Sequence, residues 1–283
     1  MPSDILILEK ERVRRFWEAE PCGSRYLEQP GCVRHEGADQ WTRENFEAHS
    51  RIRHALEPHI IGFAQFETAR RKKVLEIGVG MGADFLEWLK AGAQATGVDI
   101  SLASIERTRL RCELAGYSRS DLHVADAENL PFPNSTFDVV YSYGVMHHSP
   151  DTPRCIQEAR RVLKHGGEAR IMLYHHPSVT GMLLWLRYGI GRGKCLRECV
   201  YDYLESPGTK TYTREEVISL MEGFRNVRTR LVFSPGDLLL HAPSKRFQSQ
   251  VYRMFWSVYP RWLVKRAVSS WKLFILVTGT KED

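Results

Sequence analysis

The sequence predicts an α/β protein in which helices cover both faces of a mostly parallel sheet. From residue 72 onward, short apolar runs alternate with helical patterns, and this alternation is typical of a doubly wound sheet. The first run, residues 73–77, passes through three alternating glycines into a helix. Two later runs lead into Asp99 and Asp126, at the edge of the sheet where such folds bind ligands.

The turn after the first strand predicts a ligand site. Gly78, Gly80 and Gly82 permit positive φ and let a bound molecule approach the main chain. The helix that follows, residues 83–90, offers unpaired N–H groups at its N-terminus. Glu76 adds a carboxylate at the end of the strand.

Two ligand classes fit the spacing of this turn. Gly78, Gly80 and Ala83 match G-x-G-x-x-G/A, the pattern of dinucleotide-binding proteins. With Glu76 and Gly82, the same turn matches the acidic-x-G-x-G-x-G pattern of enzymes that use S-adenosyl-L-methionine (SAM). The turn alone does not choose between the two classes.

The carboxylates that follow the next two strands help to distinguish a dinucleotide from SAM as the ligand. Asp99 lies where a carboxylate accepts two ribose hydroxyls in either class. Asp126 follows the short strand of residues 122–125, where a carboxylate can face the exocyclic amine of an adenine. This position favours SAM, and an oxidoreductase that uses a nicotinamide cofactor is the weaker alternative.

Residues 126–132, 137–140 and 144–148 carry a family resemblance. They resemble the class I SAM-dependent methyltransferases, in particular the small-molecule group that includes the ubiquinone and menaquinone biosynthesis methyltransferases (methyltransferase type 11). The motifs cover residues 72–176. The resemblance implies a transferase of small-molecule biosynthesis with a Rossmann-like sheet of seven strands, mostly parallel, whose last strand is antiparallel.

The resemblance also implies a set of cofactor-binding residues. These are Glu76, Gly78, Gly80, Gly82, Asp99, Ile100, Asp126, Ala127 and Tyr143. The three glycines would cradle the methionine portion of SAM, and the carboxylate before them would anchor their turn. Asp99 would accept the ribose hydroxyls, and Ile100 would pack on the adenine. Asp126 and the main chain of Ala127 would contact the adenine, while Tyr143 would lie near the sulfonium.

Histidines at the ends of adjacent strands are the candidates for a catalytic base. An oxygen acceptor must lose a proton, and histidine can take it near neutral pH. We predict that one of His147, His148 and His175 has this role. A structural role is the alternative for each of them, and a carbon acceptor on an electron-rich ring, or an amine, would need no dedicated base.

The chain divides into a helical extension, residues 1–70, and a methyltransferase core, residues 71–283. The pattern of residues 5–18 predicts an amphipathic helix, and two more helices, over residues 41–54 and 56–66, are predicted before the core. The side predicted to be apolar consists of Ile7, Leu8, Val13 and Trp17. By resemblance the extension is a lid over the SAM pocket, which makes Trp17 and Tyr26 site candidates. Packing on the edge of the sheet is the alternative.

Two connections are far longer than the usual loop of about five residues. They are the first insertion, residues 177–210, and the second insertion, residues 234–270. We expect helices in both. Their apolar residues could line an acceptor pocket or could form only the insertions' own cores: Met182, Leu183, Leu184, Trp185 and Leu186, and Phe255, Trp256, Tyr259, Trp262 and Leu263.

The net charge of +6 is concentrated in one segment of the chain. Residues 238–281 contain eight bases and no acid, which leaves 32 bases against 34 acids elsewhere. Aromatic residues lie between these bases. This mixture is typical of a helix on an anionic membrane surface, with an ordinary solvated insertion as the alternative.

The apolar runs and the cysteines of the sequence indicate the compartment of the protein and whether it binds a metal. The sequence contains neither a signal peptide nor a run of about 18 apolar residues, so we expect a cytoplasmic protein, with a peripheral membrane position if the basic segment binds anionic lipid. Its six cysteines are expected to be reduced thiols. Cys195 and Cys199 lack two further paired ligands, and we therefore predict no metal site. The sequence does not indicate an oligomeric state.

We therefore predict a SAM-dependent methyltransferase that transfers a methyl group to oxygen or carbon of a small acceptor, apolar or phenolic and quinone-like. One alternative is a nucleic-acid methyltransferase that uses the basic aromatic segment. The Asn/Asp-Pro-Pro-Tyr/Phe motif typical of base amine methylation is replaced here by residues 143–146, which disfavours this alternative. A non-catalytic SAM-binding protein is the other alternative.

Overall fold

A computed structural model describes residues 3–20, 22–23, 41–206, 208–240 and 257–282. Within these residues a single sheet has the strand order β3-β2-β1-β4-β5-β7-β6. The strands are β1 Lys73–Ile77, β2 Gln94–Asp99, β3 Asp121–Val124, β4 Phe137–Tyr143, β5 Leu163–Tyr174, β6 Phe224–Val232 and β7 Phe274–Lys281. β1 to β5 run parallel, and β7 is antiparallel to both β5 and β6. The predicted mostly parallel, seven-stranded sheet with an antiparallel last strand is confirmed.

Helices pack on both faces of this sheet. Within the described residues they are α1 Ser3–Ala19, α2 Arg43–Leu56, α3 His59–Ala64, α4 Ala83–Lys90, α5 Leu102–Leu114, α6 Thr152–Val162, α7 Val179–Leu184, α8 Leu196–Tyr203, α9 Arg214–Leu220 and α10 Arg261–Ala267. One apolar core contains Phe85 and Trp88 of α4, and the other contains Ile156 of α6 and Val217 of α9. Because both faces are covered, the central strands consist almost entirely of buried residues.

Several helix starts follow from local capping chemistry. The Ser101 side chain accepts a hydrogen bond from the Ser104 amide (3.2 Å), as expected for the N-cap of α5. Asp151 caps α6 through the Arg154 amide (3.0 Å). A capping box precedes α9: the Thr213 side chain accepts from the Glu216 amide, and the Glu216 side chain accepts from the Thr213 amide.

The N-terminal extension differs from its predicted pattern in two places. Val13 is buried, but Ile7 and Leu8 are 64 % and 65 % exposed, so the predicted apolar side of α1 was wrong for them. The predicted helix over residues 56–66 is interrupted, since α3 ends at a left-handed Gln65 (φ 51°) and a 3₁₀ turn follows. The start of α3 after Pro58 shortens it further, because proline pre-sets the first helical turn.

The two insertions contain helices, as expected, but differ in packing. In the first insertion, Leu184, Cys199 and Val200 form a small buried cluster of their own. α10, in the second insertion, has no buried residue. Asp237, at the start of the second insertion, connects the two insertions. Its carboxylate accepts hydrogen bonds from Thr180 of α7, in the first insertion, and from the Leu273 amide next to β7.

Within the described residues, no helix combines the length and apolar character needed to cross a membrane. The same residues contain no group of three or more histidine, cysteine, aspartate or glutamate side chains arranged to hold a metal ion. The described cysteines are free thiols, and Cys32 lies outside the described residues.

Candidate active site

A cleft of about 1030 Å³, including its open mouth, lies at the carboxyl edge of β1, β2 and β4. α1 and α2 form its other walls. Eight of the nine predicted cofactor residues line it: Glu76, Gly78, Gly80, Asp99, Ile100, Asp126, Ala127 and Tyr143. Of the lid candidates, Trp17 lines the cleft, and Tyr26 lies outside the described residues. The fold therefore brings together predicted cofactor residues that lie up to 67 positions apart in the sequence.

The glycine turn is shaped by close packing. Gly78, Gly80 and Gly82 all have positive φ, at 83°, 51° and 70°. A Cβ on Gly78 would lie 2.1 Å from a methyl of Val145, so only glycine fits there. Gly82 does not line the cleft, because it packs against Thr108 at the start of α4. Its predicted contact with the cofactor stays a prediction.

Glu76 lies at the end of β1 and is buried. Its Oε2 atom has no hydrogen-bond partner among the described residues. Burial, together with the nearby Asp84 carboxylate, raises the pKa of Glu76 well above its ordinary value. A buried polar oxygen without a partner is costly, so this atom is suited to a donor that a ligand supplies.

Asp99 closes the other side of the glycine turn. Its carboxylate accepts hydrogen bonds from the Gly80 amide (3.0 Å) and the Ser101 amide (2.9 Å). Burial raises the pKa of Asp99 to about 6, although the two amide hydrogen bonds oppose that rise. The remaining lone pairs of the carboxylate are available for hydroxyl groups of a ligand.

Asp126 is paired with a residue of the N-terminal extension. Lys10 of α1 places its Nζ 2.6 Å from Asp126 and 2.5 Å from Glu128. Although burial alone would lower the pKa of Lys10, hydrogen bonds to these two carboxylates raise it. Sequence reasoning missed Lys10, since no local pattern relates residue 10 to residue 126.

A second group that the sequence did not reveal centres on Asp84. Arg53 of α2 donates two hydrogen bonds to this buried carboxylate (3.2 and 2.8 Å), and the Tyr141 hydroxyl donates a third (2.9 Å). Burial would raise the pKa of Asp84, but the Arg53 guanidinium holds it well below its ordinary value. The sequence could have indicated Asp84, because it lies in the first helical turn after the glycines. No sequence pattern pointed to its partner Arg53, which lies 31 positions earlier.

Tyr143 ends β4 and is held by two side chains of the extension. Its hydroxyl donates to Glu57 (2.6 Å) and lies 2.7 Å from Nε2 of His59. Burial, followed by the Glu57 charge, raises the pKa of Tyr143 well above its ordinary value, so the phenol remains protonated. The Tyr143 ring is thereby fixed as a wall of the cleft.

The three predicted base candidates occupy different environments. His147 is fully buried, and its ring packs at a tilt of 31° against Tyr174 with 3.9 Å between the ring centroids. Neither ring nitrogen of His147 has a hydrogen-bond partner among the described residues. Burial lowers the pKa of His147 well below its ordinary value. His175 lies 3.0 Å from the Lys272 carbonyl through Nδ1. Of these three histidines, His148 is the one that lines the cleft.

His148 also separates the cleft from a second one of about 540 Å³. Val13, His148 and Pro150 line both clefts. The second cleft opens between α1 and α8, and its polar walls include Arg12 and Lys210. The edge of the Trp17 ring faces His148, with 5.1 Å between the two ring centroids.

The residues of the first cleft fit SAM. Gly78 and Gly80 leave the main chain open to a ligand, and the unpartnered Oε2 of Glu76 can accept a hydrogen bond from an amine. Carboxylates at Asp99 and Asp126 lie on one edge of the sheet. None of the apolar residues named in the described part of either insertion lines this cleft, and Phe255 and Trp256 lie outside the described residues.

Comparisons with known proteins agree with this fit. Residues 75–171 match the family model described as a methyltransferase domain. The demethylmenaquinone methyltransferase of Tropheryma whipplei (strain Twist) is 29 % identical over 179 residues, which are 60 % of this chain and 73 % of that protein. The phthiotriol/phenolphthiotriol dimycocerosates methyltransferase of Mycobacterium leprae (strain TN) is 40 % identical over 98 residues, only 34 % of this chain and 35 % of the relative.

A solved structure shows the same fold over nearly the whole chain. It is the phosphoethanolamine N-methyltransferase 2 of Haemonchus contortus in complex with SAM, with a TM-score of 0.61 and 18 % identity. The similarity covers 96 % of this chain and 60 % of that one. The family model over residues 75–171 and the sequence relatives together show a SAM-dependent methyltransferase domain in this chain, similar to methyltransferases of small molecules.

Proposed function

We propose that the protein transfers a methyl group from SAM to oxygen or carbon of a small acceptor, apolar or phenolic and quinone-like. The observation that carries this proposal is the set of aromatic rings in the first cleft. Trp17, Tyr143 and His148 line this cleft, and aromatic rings pack favourably with a planar acceptor ring. The names of the Tropheryma whipplei and Mycobacterium leprae relatives also favour ring-bearing or strongly apolar acceptors.

In this proposal the protein mainly binds SAM and the acceptor and orients them for methyl transfer. SAM supplies a methyl group that its sulfonium charge has already activated. The glycine turn and Glu76 hold the methionine portion, Asp99 the ribose, and Asp126 with Ile100 the adenine. Gly82 contributes by shaping the turn. The extension of residues 1–70 covers the cofactor and keeps water out.

His148 is the base in this proposal when the acceptor is a hydroxyl. It lines both clefts, so it lies between the cofactor and the opening through which an acceptor would enter. His147 and His175 support the surrounding structure, since His147 is buried against Tyr174 and His175 lies near a main-chain carbonyl.

The test is an acceptor screen with methyl-labelled SAM and purified protein. Catechols, hydroxyquinones and demethylated naphthoquinones should become labelled, and single- or double-stranded oligonucleotides should not. His148→Gln should lower the rate with hydroxyl acceptors at least a hundredfold, the usual contribution of a general base. Labelling of oligonucleotides alone would support the nucleic-acid alternative. SAM binding without any labelled product would support a non-catalytic protein.

A peripheral contact with an anionic membrane, on the cytoplasmic side, is the second part of the proposal. Trp262 of α10 is 68 % exposed, and Leu263, Lys265 and Arg266 are exposed beside it. Such a short basic and aromatic helix suits the headgroup layer of anionic lipid. Lys245, Arg246 and Arg253, which contribute to the same charge, lie outside the described residues.

Vesicle co-sedimentation tests this contact. Binding should occur with anionic vesicles, be absent with neutral ones and weaken as salt rises. The double variant Lys265→Gln/Arg266→Gln should bind roughly thirtyfold more weakly, because each base near anionic lipid contributes about 1 kcal/mol. As a matched control, Arg109→Gln/Arg119→Gln removes the same charge from other exposed positions and should bind like the wild type. Equal binding to anionic and neutral vesicles would refute the contact.

A further inference from the structure

The second cleft contains two basic side chains that form no ion pair with the described residues. They are Arg12 of α1 and Lys210, the last residue of the first insertion. The other ion pairs of α1 join Lys10, Arg14 and Arg15 to carboxylates, and none of them includes Arg12. The charges of these two bases therefore face the open volume of the cleft.

Lys210 is half-buried, and its Nζ donates to the Ser149 carbonyl (2.6 Å). Burial lowers the pKa of Lys210 below its ordinary value, although the charges of Glu9, Glu128 and Asp151 oppose that change. An ammonium that has lost water and contacts a neutral acceptor is stabilised when an anion reaches it. Lys210 is therefore suited to an anionic ligand.

The two carboxylates on the walls of the second cleft are engaged by other residues. Asp202 pairs with Lys194 (2.6 Å), which does not line the cleft. Glu9 accepts a hydrogen bond from the Tyr201 hydroxyl (3.1 Å), which connects α1 to α8. The two bases of the cleft are therefore only partly balanced, and an acidic group of a ligand would complete the balance.

The first cleft has the opposite excess of charge. Among the described residues, its walls include two bases and four acidic side chains: Lys10 and Arg53, and Glu76, Asp84, Asp99 and Asp126. Even if Glu76 is counted as neutral, carboxylates outnumber bases there. This excess suits the positive charges of SAM and disfavours an acidic group of the acceptor.

The two clefts are continuous enough for one molecule to contact both. Val13, His148 and Pro150 line the first cleft and also the second. An acceptor whose ring lies beside the cofactor can therefore extend a substituent past these three residues. The charge distribution favours an acidic substituent in the second cleft.

We propose that the acceptor carries an anionic oxygen group, a carboxylate or a phosphate, that Arg12 and Lys210 bind in the second cleft. The inference rests on the proposed function, for which it names a substrate class: a ring with an acidic substituent. A guanidinium and an ammonium both donate well to carboxylate and phosphate oxygens. The methyl group is received elsewhere on the acceptor, so these two bases determine specificity and take no part in the transfer.

Paired probes test this subsite in protein loaded with S-adenosylhomocysteine (SAH), so that no turnover is required. Protocatechuate and its methyl ester differ in one carboxylate charge, and phenyl phosphate and phenol differ in a phosphate. In calorimetric titrations, at least one anionic probe should bind about tenfold more tightly than its neutral partner, and added salt should reduce this preference. The pair with the larger preference identifies the anionic group.

Variants locate the subsite. Arg12→Gln/Lys210→Gln should bind the preferred anionic probe about tenfold more weakly and its neutral partner within about twofold of the wild type. Lys210→Gln alone should cause most of this loss, because Lys210 is half-buried and Arg12 is exposed. As a matched control, Arg15→Gln/Arg192→Gln removes the same charge from α1 and the first insertion, outside both clefts, and should bind like the wild type.

The outcomes distinguish this inference from the proposed function. If the wild type prefers neither anionic probe, or binds none of the four, the anionic subsite is refuted even if a neutral acceptor is methylated. If the preference survives in Arg12→Gln/Lys210→Gln, falls equally in the control, or is lost together with binding of the neutral probe, these bases do not form the subsite. If the preference depends on both bases but the labelled-SAM screen yields no product, the subsite stands and the proposed transfer is wrong.

Discussion

The proposed function gives the cleft a cofactor end and an acceptor end, and these two ends are built in different ways. The cofactor end comes from one stretch, residues 76–127, and consists largely of main chain and strand-end carboxylates. The proposed acceptor end is assembled from side chains of distant segments, with Trp17 on α1 and with His148 after β4, whose Nδ1 contacts Ser206 of the first insertion. The cofactor end is therefore encoded locally, whereas the acceptor end depends on the extension and the first insertion.

The two ends should also respond differently to substitution. At the cofactor end, a change disturbs tightly packed backbone, so the fold and the binding of SAM suffer together. At the acceptor end, side chains are held by hydrogen bonds and ion pairs, so a change should alter chemistry and leave the fold intact. The variants below test this difference, beginning with the largest expected effect.

Gly78→Ala should cause the largest loss. The new methyl would lie 2.1 Å from Val145, and the positive φ would be strained as well. Overpacking and backbone strain together should lower the free energy of unfolding by about 2–4 kcal/mol and abolish SAH binding. Urea unfolding followed by circular dichroism measures the first effect, and calorimetry measures the second.

Gly116→Ala is the matched control for this variant. Gly116 also has a positive φ of 92°, but a Cβ there would meet nothing within 4 Å. It should cost only about 1 kcal/mol and leave SAH binding unchanged. If the two variants lost the same stability, close packing at Gly78 would not be what distinguishes the cofactor end.

The pH dependence of SAH binding should come from the cofactor end. Because burial raises the pKa of Asp99 to about 6, the folded apoprotein holds this proton more tightly than the unfolded chain, and its stability falls as pH rises from about 4 to 6. Ribose hydroxyls favour the ionised carboxylate. SAH affinity should therefore be roughly tenfold weaker at pH 5 than at pH 7.

Calorimetry in buffers of different ionisation enthalpy checks this dependence. SAH binding near pH 5.5 should release protons from the wild type. Asp99→Asn should bind weakly at both pH values and release none, whereas Asp126→Asn should keep the dependence. A dependence that persists in Asp99→Asn would assign the titrating group elsewhere.

Lys10→Met should have the smallest of these effects. The ion pairs of Lys10 with Asp126 and Glu128 connect α1 to the cofactor end, and a partly exposed pair contributes about 1 kcal/mol or less. SAH should bind about threefold to fivefold more weakly, mainly through faster dissociation in stopped-flow measurements, and added salt should reduce the difference.

Arg15→Met serves as its control. The Arg15 ion pair with Glu11 lies on the same helix but is exposed to solvent. This variant should release SAH at the wild-type rate. If Lys10→Met did so too, α1 would not retain the cofactor through these ion pairs.

The sequence predicted the sheet and most of the cofactor end because each signal was local. A strand, a glycine turn and a helix adjoin one another, and a carboxylate at a strand end can be recognised from a few neighbouring residues. Asp99 and Asp126 were found in this way and do line the cleft. Gly82 was the exception, since the pattern did not show that it packs against Thr108.

The acceptor end could not be predicted because its contacts join distant positions. Glu205 approaches His148 across 57 positions, and Lys10 approaches Asp126 across 116. Two adjacent histidines also differ in a way that the sequence does not show: His147 and His148 are both buried, but of the two only His148 lines the cleft. The exposure of Ile7 and Leu8 was missed because an amphipathic pattern does not say what a helix packs against.

The most direct test of the cofactor end is a calorimetric titration of SAH and of NADH into the wild type and Asp99→Ala. We predict that SAH binds the wild type more tightly than NADH does. Asp99→Ala should weaken SAH binding at least tenfold, or about 1.4 kcal/mol, because the ribose loses its acceptor. An unchanged SAH affinity in Asp99→Ala, or tighter binding of NADH than of SAH, would contradict the assignment.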